Sequence, residues 1–226
     1  MREYYYFPCI DLPVNPKGWF ALFFGGDTVF VVMALSNAIV PVLPAFADSS
    51  SLQGAIYAAY FLGAMISTLP AGMLSDRIGR IPLIRLGLII TVISGIALSG
   101  VSSSILVLGI RFIEGAGAGC FVAAAMSFVN SGTDHERMSG YFMAMLNAGL
   151  VTGLVAAGWL NVAFQLPVMG ILIFAGCAII PASASLFICD TPRVARPDDK
   201  PPLLPLIIQY RYLWYSSVIL GIPSKK

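Results

Sequence analysis

Long apolar runs with very little charge constrain the fold of this chain more than any other feature. Each run is close to the ~20 residues that a helix needs to cross the hydrocarbon core of a bilayer. Of the 226 residues, 58% are hydrophobic and 11% are charged, whereas about a quarter of a soluble domain is charged. Inside lipid only helices or a closed barrel satisfy the backbone, and runs without strict alternation favour helices. We therefore expect an all-α integral membrane protein.

The runs predict one bundle of six antiparallel transmembrane helices joined by short turns. The predicted spans are Trp19 to Phe46, Leu52 to Leu74, Ile81 to Ser99, Ile105 to Val129, Met138 to Leu160 and Leu166 to Ile188. The predicted organisation is a lead over residues 1–18, a six-helix domain over 19–189, a polar, proline-rich linker over 190–202, and a final segment over 203–226. Polar residues interrupt the final segment, so it is either an interfacial helix or an incomplete seventh span.

Basic residues fall on one side of the predicted bundle. The first, third and fifth turns contain no Lys or Arg, whereas the lead, the second and fourth turns and the linker all do. Because Lys and Arg next to a span resist translocation, this bias predicts a cytoplasmic N-terminus in a multi-pass protein of the plasma membrane.

The residue types that build enzyme and metal sites are sparse. There is one histidine, His135, and the four cysteines have no paired spacing. A zinc site or a Ser-His-Asp hydrolase has almost nothing to be built from. A membrane enzyme acting on lipid needs a catalytic cluster at the interface, and none is visible. We expect no enzyme activity, no metal and no cofactor.

Charged residues inside the spans are functional candidates, because each costs about 3 kcal/mol at a helix centre on insertion scales. Arg111 and Glu114 are three residues apart on one helix and share a face. They form either a self-contained ion pair or a group that couples substrate or protons. Asp27, near the membrane edge, and Asn37, nearer the middle, are the other candidates for substrate or proton coupling.

Small residues at intervals of four predict where the helices meet, because close backbone approach replaces the hydrophobic drive in lipid. Such seams also allow one helix to slide against another. The residues expected to serve helix packing and gating are Gly115 and Gly119 in the fourth span and Gly149 and Gly153 in the fifth.

A charged, glycine-bounded turn separates the second and third spans. Its sequence, Gly72-Met73-Leu74-Ser75-Asp76-Arg77-Ile78-Gly79-Arg80, resembles the signature loop of the major facilitator superfamily of secondary transporters. Arg111-Phe112-Ile113-Glu114-Gly115-Ala116-Gly117 is similar to the family's span-four signature, with Glu114 where glutamine is common. Pro41-Val42-Leu43-Pro44 resembles the end of its first helix.

The resemblance implies one six-helix half of a transporter whose two halves rock about a central site, driven by the proton gradient. It implies a cytoplasmic latch made of Gly72, Asp76, Arg77, Gly79 and Arg80. The implied partners are a small-molecule substrate, protons, the lipid bilayer and a second six-helix half; no nucleic acid is expected. That second half is a C-terminal half missing from this sequence, another copy, or a relative.

The fifth span bears on the transport subtype. The family's antiporters carry a Gly-Pro pair and a double glycine there, whereas this chain keeps the spacing with Leu154 in place of the proline and Ala157 in place of one glycine. We expect proton-coupled efflux of the multidrug type by alternating access. The alternative is a half-length membrane scaffold or assembly partner that does not transport by itself.

Overall fold

The computed structural model describes residues 26–130 and 135–186, without the side chains of Asp76 and Arg77. The predictions for residues 1–18, 190–202 and 203–226 lie outside the described part of the chain. Within it the elements are helices, in the order α1 (Thr28–Asn37), a 3₁₀ turn (Val40–Val42), α2 (Leu43–Phe46), α3 (Ser50–Ile78), α4 (Arg80–Ser99), α5 (Ser104–Val129), α6 (His135–Phe164) and α7 (Met169–Leu186).

Six helical stretches in the described residues are long and apolar enough to cross a membrane. Together α1, the 3₁₀ turn and α2 form the first, and α3 to α7 form the others. The predicted all-α, six-helix class is therefore confirmed. The bounds differ at the ends of two spans: α3 continues to Ile78 instead of ending at Leu74, and α6 extends from His135 to Phe164 instead of from Met138 to Leu160.

The turn predicted over Ser75 to Arg80 is thus mostly helical. Only Gly79 separates α3 from α4, and its φ of 98° lies in a region that L side chains rarely adopt. A glycine there allows the chain to reverse direction within one residue.

Two prolines shape the end of the first span. Pro41 has no backbone N–H to donate to the carbonyl of Asn37, and α1 ends at that residue. The chain continues as a 3₁₀ turn and then as α2, where Pro44 occupies the first turn, a position that tolerates proline.

Helix α5 packs most extensively against α3 and α4. Helix α4 also packs on α7, and α1 packs on α6 and α7. The buried apolar side chains form two clusters along these contacts. The largest of them are Phe121, Phe142, Leu35, Ile39, Ile56, Leu83, Leu88, Leu98 and Ile171.

The α3–α5 contact brings two backbones together at glycine. A Cβ at Gly63 would overlap the carbonyl oxygen of Phe112, and a Cβ at Gly115 would overlap that of Tyr60. At Gly119 the Cα of Ala64 lies 3.0 Å from the position of such a Cβ. Side chains larger than hydrogen would therefore force the two helices apart.

The α1–α6 contact also depends on glycines that allow two backbones to approach closely. A Cβ at Gly149 would overlap the backbone carbonyl oxygen of Phe30, and a Cβ at Gly153 would overlap that of Ala34. The four glycines that the spacing assigns to packing thus lie at helix–helix contacts, while their role in gating stays a prediction.

Candidate coupling site

A buried ion pair on α5 forms the centre of the candidate site. The side chains of Arg111 and Glu114 are both 1% exposed, and Nη1 of Arg111 donates to Oε2 of Glu114 at 2.8 Å. Their spacing of three residues places both on the same face of the helix. Two charges are therefore held inside the bundle as a neutral pair.

The Arg111 guanidinium also contacts two further helices. Its Nη2 donates to the backbone carbonyl of Ser36 on α1 at 3.1 Å. Its central carbon lies 4.5 Å from the centroid of the Tyr60 ring on α3, which is cation–π geometry. One side chain thus links α1, α3 and α5.

The end of α1 explains why the Ser36 carbonyl is available. Ser36 lies in the last turn of this helix, where carbonyl groups have no N–H donor four residues later in the same helix. Its own hydroxyl donates back to the Val32 carbonyl at 2.9 Å. Because Pro41 ends the helix here, a carbonyl oxygen is exposed to the guanidinium inside the bundle.

Two polar atoms of the pair have no hydrogen-bond partner in the described part of the chain. They are Nε of Arg111 and Oε1 of Glu114, and both are buried. A buried group without a partner costs about 1–3 kcal/mol. The carboxylate therefore keeps one oxygen to which a proton can add without first displacing another donor.

The other two coupling candidates lie apart from the pair. Asp27 is half-buried at the start of α1 and precedes Ser36 by nine residues, which is about 13 Å along a helix. Asn37 donates through Nδ2 to the backbone carbonyl of Leu150 on α6 at 2.9 Å. The structure brings only Arg111 and Glu114 together, and it places Asn37 at the α1–α6 contact.

Sequence reasoning did not assign Ser36 or Tyr60 to the ion pair. Pro41 was a usable signal for Ser36, because a proline that ends a helix leaves carbonyls without donors in the preceding turn. Nothing in the sequence indicates that Tyr60 lies over Arg111, since that contact depends on how α3 packs against α5.

The residues of the predicted latch lie at the junction of α3 and α4. Gly72 is half-buried within α3, Gly79 joins the two helices, and Arg80 begins α4. Because the side chains of Asp76 and Arg77 are outside the description, the latch remains a prediction.

Comparison with known proteins gives one family. The model of the Major Facilitator Superfamily matches residues 22–223. The chain is 26% identical over 134 residues to the multidrug resistance protein MdtL of Shewanella oneidensis, which covers 55% of this chain and 34% of that protein.

Two further relatives match longer stretches. The quinolone resistance protein NorA of Staphylococcus aureus is 28% identical over 172 residues, covering 70% of this chain and 43% of NorA. An uncharacterized MFS-type transporter of Mycobacterium tuberculosis is 31% identical over 148 residues, covering 62% of this chain and 21% of that protein. The matched region therefore spans less than half the length of each of these relatives.

Proposed function

The chain belongs to the Major Facilitator Superfamily, a family of multi-pass membrane transporters and not of enzymes, and from this membership we propose that it acts in proton-coupled efflux of a small molecule. The transport cycle we propose is alternating access, with the described bundle as one of two six-helix halves that rock about a central site.

The buried pair of Arg111 and Glu114 is the observation that carries this proposal. Protonation of Glu114 at Oε1 removes the charge that neutralises Arg111, and it weakens a hydrogen bond that is charge-assisted in the ionised state. The guanidinium also holds α1 through Ser36 and α3 through Tyr60. A proton on the carboxyl group therefore changes the contacts that Arg111 makes with three helices. Coupling of protons to transport requires such a change in helix–helix contacts.

The relatives suggest the substrate class and the missing partner. Two are named for multidrug and quinolone resistance, and the matched regions cover 34% and 43% of them. We therefore propose an amphipathic drug-like substrate and a second six-helix half, which is a further part of the protein, a second copy or a relative.

Orientation and the latch belong to the same proposal. The bias of basic residues supports a cytoplasmic N-terminus at the plasma membrane. The junction of α3 and α4 then lies in the cytoplasm, where Asp76 and Arg77 latch the two halves in the outward-facing state. An Asp76→Asn variant of the complete transporter should insert normally and lose transport.

Reconstitution in liposomes tests the coupling. The complete transporter, with both six-helix halves, is placed in vesicles with an acidic interior, and uptake of a fluorescent quinolone is followed together with internal pH. We expect quinolone-dependent proton flux that is lost in Glu114→Gln and kept in Glu136→Gln, which removes an exposed carboxylate at the start of α6.

The outcomes separate the proposals. Proton flux that survives Glu114→Gln would exclude the carboxyl group as the coupling site. Absence of quinolone and proton movement, with a stable complex to another polypeptide recovered from native membranes by crosslinking, would favour the scaffold alternative.

A further inference from the structure

The Tyr60 ring offers Arg111 a partner that a proton on Glu114 leaves unchanged. The central carbon of the guanidinium lies 4.5 Å from the ring centroid, and the faces of an aromatic ring carry partial negative charge. Tyr60 also interacts electrostatically with Glu114. Since Arg111 is buried, little water screens the attraction between the cation and the ring. The ring therefore presents its negative face to Arg111 whether Glu114 is ionised or protonated.

The packing of α3 against α5 fixes the position of this ring. Tyr60 is buried, and its backbone carbonyl lies so close to Gly115 that a Cβ at Gly115 would overlap it. The ring of Phe61 packs edge-on against the Tyr60 ring, with centroids 5.3 Å apart and planes at 90°. The Tyr60 ring therefore stays over Arg111 unless the two helices separate.

The hydrogen bonds of Arg111 respond differently to a proton on Glu114. Nη1 donates to Oε2 of Glu114, and Nη2 donates to the carbonyl of Ser36. Protonation removes the charge assistance from the first bond and leaves a buried cation without a counter-charge, which is costly. Cation–π attraction is largest for a desolvated cation. The ring therefore contributes a larger share of the stabilisation of Arg111 once Glu114 is protonated.

We propose that Tyr60 is a positioning residue of the coupling site, whose ring holds the charge of Arg111 while Glu114 carries a proton. The inference rests on the proposed function, in which Glu114 takes up the coupled proton. The ring lowers the cost of the protonated state and keeps the guanidinium at α3 when its bond to Glu114 weakens. The neighbours that interact with these groups are Ser36 of α1 and, next to Tyr60 on α3, Tyr57.

Stepwise fluorination of the ring tests the proposal, because fluorine withdraws charge from the ring face and changes the ring's shape little. Residue 60 of the full chain is replaced by phenylalanine and then by mono-, di- and trifluorophenylalanine. Each variant is made in the native background and with Glu114→Gln, which mimics the protonated carboxyl group. We expect the melting temperature to fall with each fluorine, with a slope about twice as steep in the Glu114→Gln background.

Phenylalanine at residue 112 gives the matched control. Phe112 follows Arg111 on α5, and its ring is exposed, so the same fluorinated series there should give equal slopes in the two backgrounds. Tyr60→Phe should keep most of the stability that Tyr60→Leu loses. Equal slopes in the two backgrounds at residue 60, or no slope at all, would overturn the proposal. A loss in Tyr60→Phe as large as in Tyr60→Leu would also overturn it, because the hydroxyl group would then be responsible.

Proton flux separates this inference from the proposed function. In the complete transporter, Tyr60→Leu should lower quinolone-dependent proton flux by about tenfold, the effect of losing one desolvated cation–π contact, and Tyr60→Phe should restore it. Normal flux in the unaltered transporter with equal fluorination slopes would overturn the role of Tyr60 and leave the proposed function standing. Absence of flux in the unaltered transporter with unequal slopes would overturn the proposed function and support the ring as the group that holds the charge of Arg111.

Discussion

Arg111 is the residue whose environment says most about this protein. It is buried, and its guanidinium meets Glu114 on its own helix, the Ser36 carbonyl on α1 and the Tyr60 ring on α3. Removing two charges from water is costly, and the mutual attraction of the pair offsets that cost only with good geometry. The 2.8 Å contact gives Nη1 of Arg111 and Oε2 of Glu114 this geometry. Nε of Arg111 and Oε1 of Glu114 have no hydrogen-bond partner among the described residues.

Replacement of Glu114 should therefore depend on what replaces it. Glu114→Leu leaves Arg111 buried without a counter-charge and should lower the free energy of unfolding by about 3–5 kcal/mol. Glu114→Gln should cost less, because an amide oxygen can still accept from Nη1. The double variant Arg111→Leu/Glu114→Leu should be more stable than Glu114→Leu alone. Thermal unfolding of the detergent-purified protein measures all three, and equal losses for the single and double variants would argue against the pair.

At the scale of elements, the helices are fitted together by backbone contacts. The carbonyl of Tyr60 on α3 faces Gly115 on α5, and the carbonyl of Phe112 faces Gly63 in return. Reciprocal contacts of this kind explain why α5 packs so extensively against α3. They also set the distance at which the Tyr60 ring lies over Arg111.

Alanine substitutions within α5 should separate packing from helix propensity. Gly115→Ala places a methyl group against the Tyr60 backbone and should destabilise the protein by about 1–3 kcal/mol, the range for overpacked cores. Gly109→Ala is the matched control in the same helix, since no atom beyond its chain neighbours and its own helix backbone lies within 4 Å of its Cβ position. It should be neutral or stabilise by up to about 1 kcal/mol. Melting temperatures compare them, and similar shifts for both would contradict the close contact.

Residue 154 of helix α6 is a position where proline should be tolerated. Leu154 stands where the sequence resemblance implies a proline in the family's antiporters, and in a regular helix it would give its N–H to the carbonyl of Leu150. That carbonyl already accepts from Nδ2 of Asn37. A proline at residue 154 would remove one donor and leave the other.

We therefore expect Leu154→Pro to cost less than the roughly 3 kcal/mol typical of a proline inside a helix. Val151→Pro, at a 63% exposed position of the same helix, should cost the full amount. Adding Asn37→Ala should remove the advantage of Leu154→Pro. Unfolding measurements on the three variants decide this, and a Leu154→Pro variant as unstable as Val151→Pro would show that the Asn37 bond gives no compensation.

At the scale of the whole molecule, the helices differ in the share of their residues that the bundle buries. Within the most apolar stretch of each helix, 50% of α4 is buried, but only 22% of α3 and 17% of α6. The faces of α3 and α6 are therefore the largest apolar surfaces offered to lipid or to another polypeptide. This agrees with a bundle that functions beside a second half, as we propose from the length of the relatives.

Labelling with a membrane-impermeant maleimide tests the orientation of the whole bundle. In a background without the four native cysteines, Ser102→Cys should react in intact cells, because the turn between α4 and α5 has no basic residue and the predicted topology places it outside. His135→Cys, exposed at the start of α6, should react only after the membrane is permeabilised. The opposite pattern would reverse the predicted topology.

The sequence by itself determined that the chain lies in lipid, that it is helical and which family it resembles. Runs of about 20 apolar residues leave little choice of structure in lipid. The spacing of Arg111 and Glu114 placed both on one face of α5, because a helix fixes local geometry. The family match over residues 22–223 agrees with the motifs read from the residues.

Only the tertiary structure decided which groups meet across helices. Asn37 donates to the carbonyl of Leu150, and Arg111 meets Ser36 and Tyr60. A part for Asn37 in coupling stays a prediction. The bounds of α3 also escaped prediction, because charged residues near a helix end do not by themselves break the helix, whereas a positive φ at Gly79 does. Contacts between helices depend on their rotation and separation, which small residues permit and packing selects.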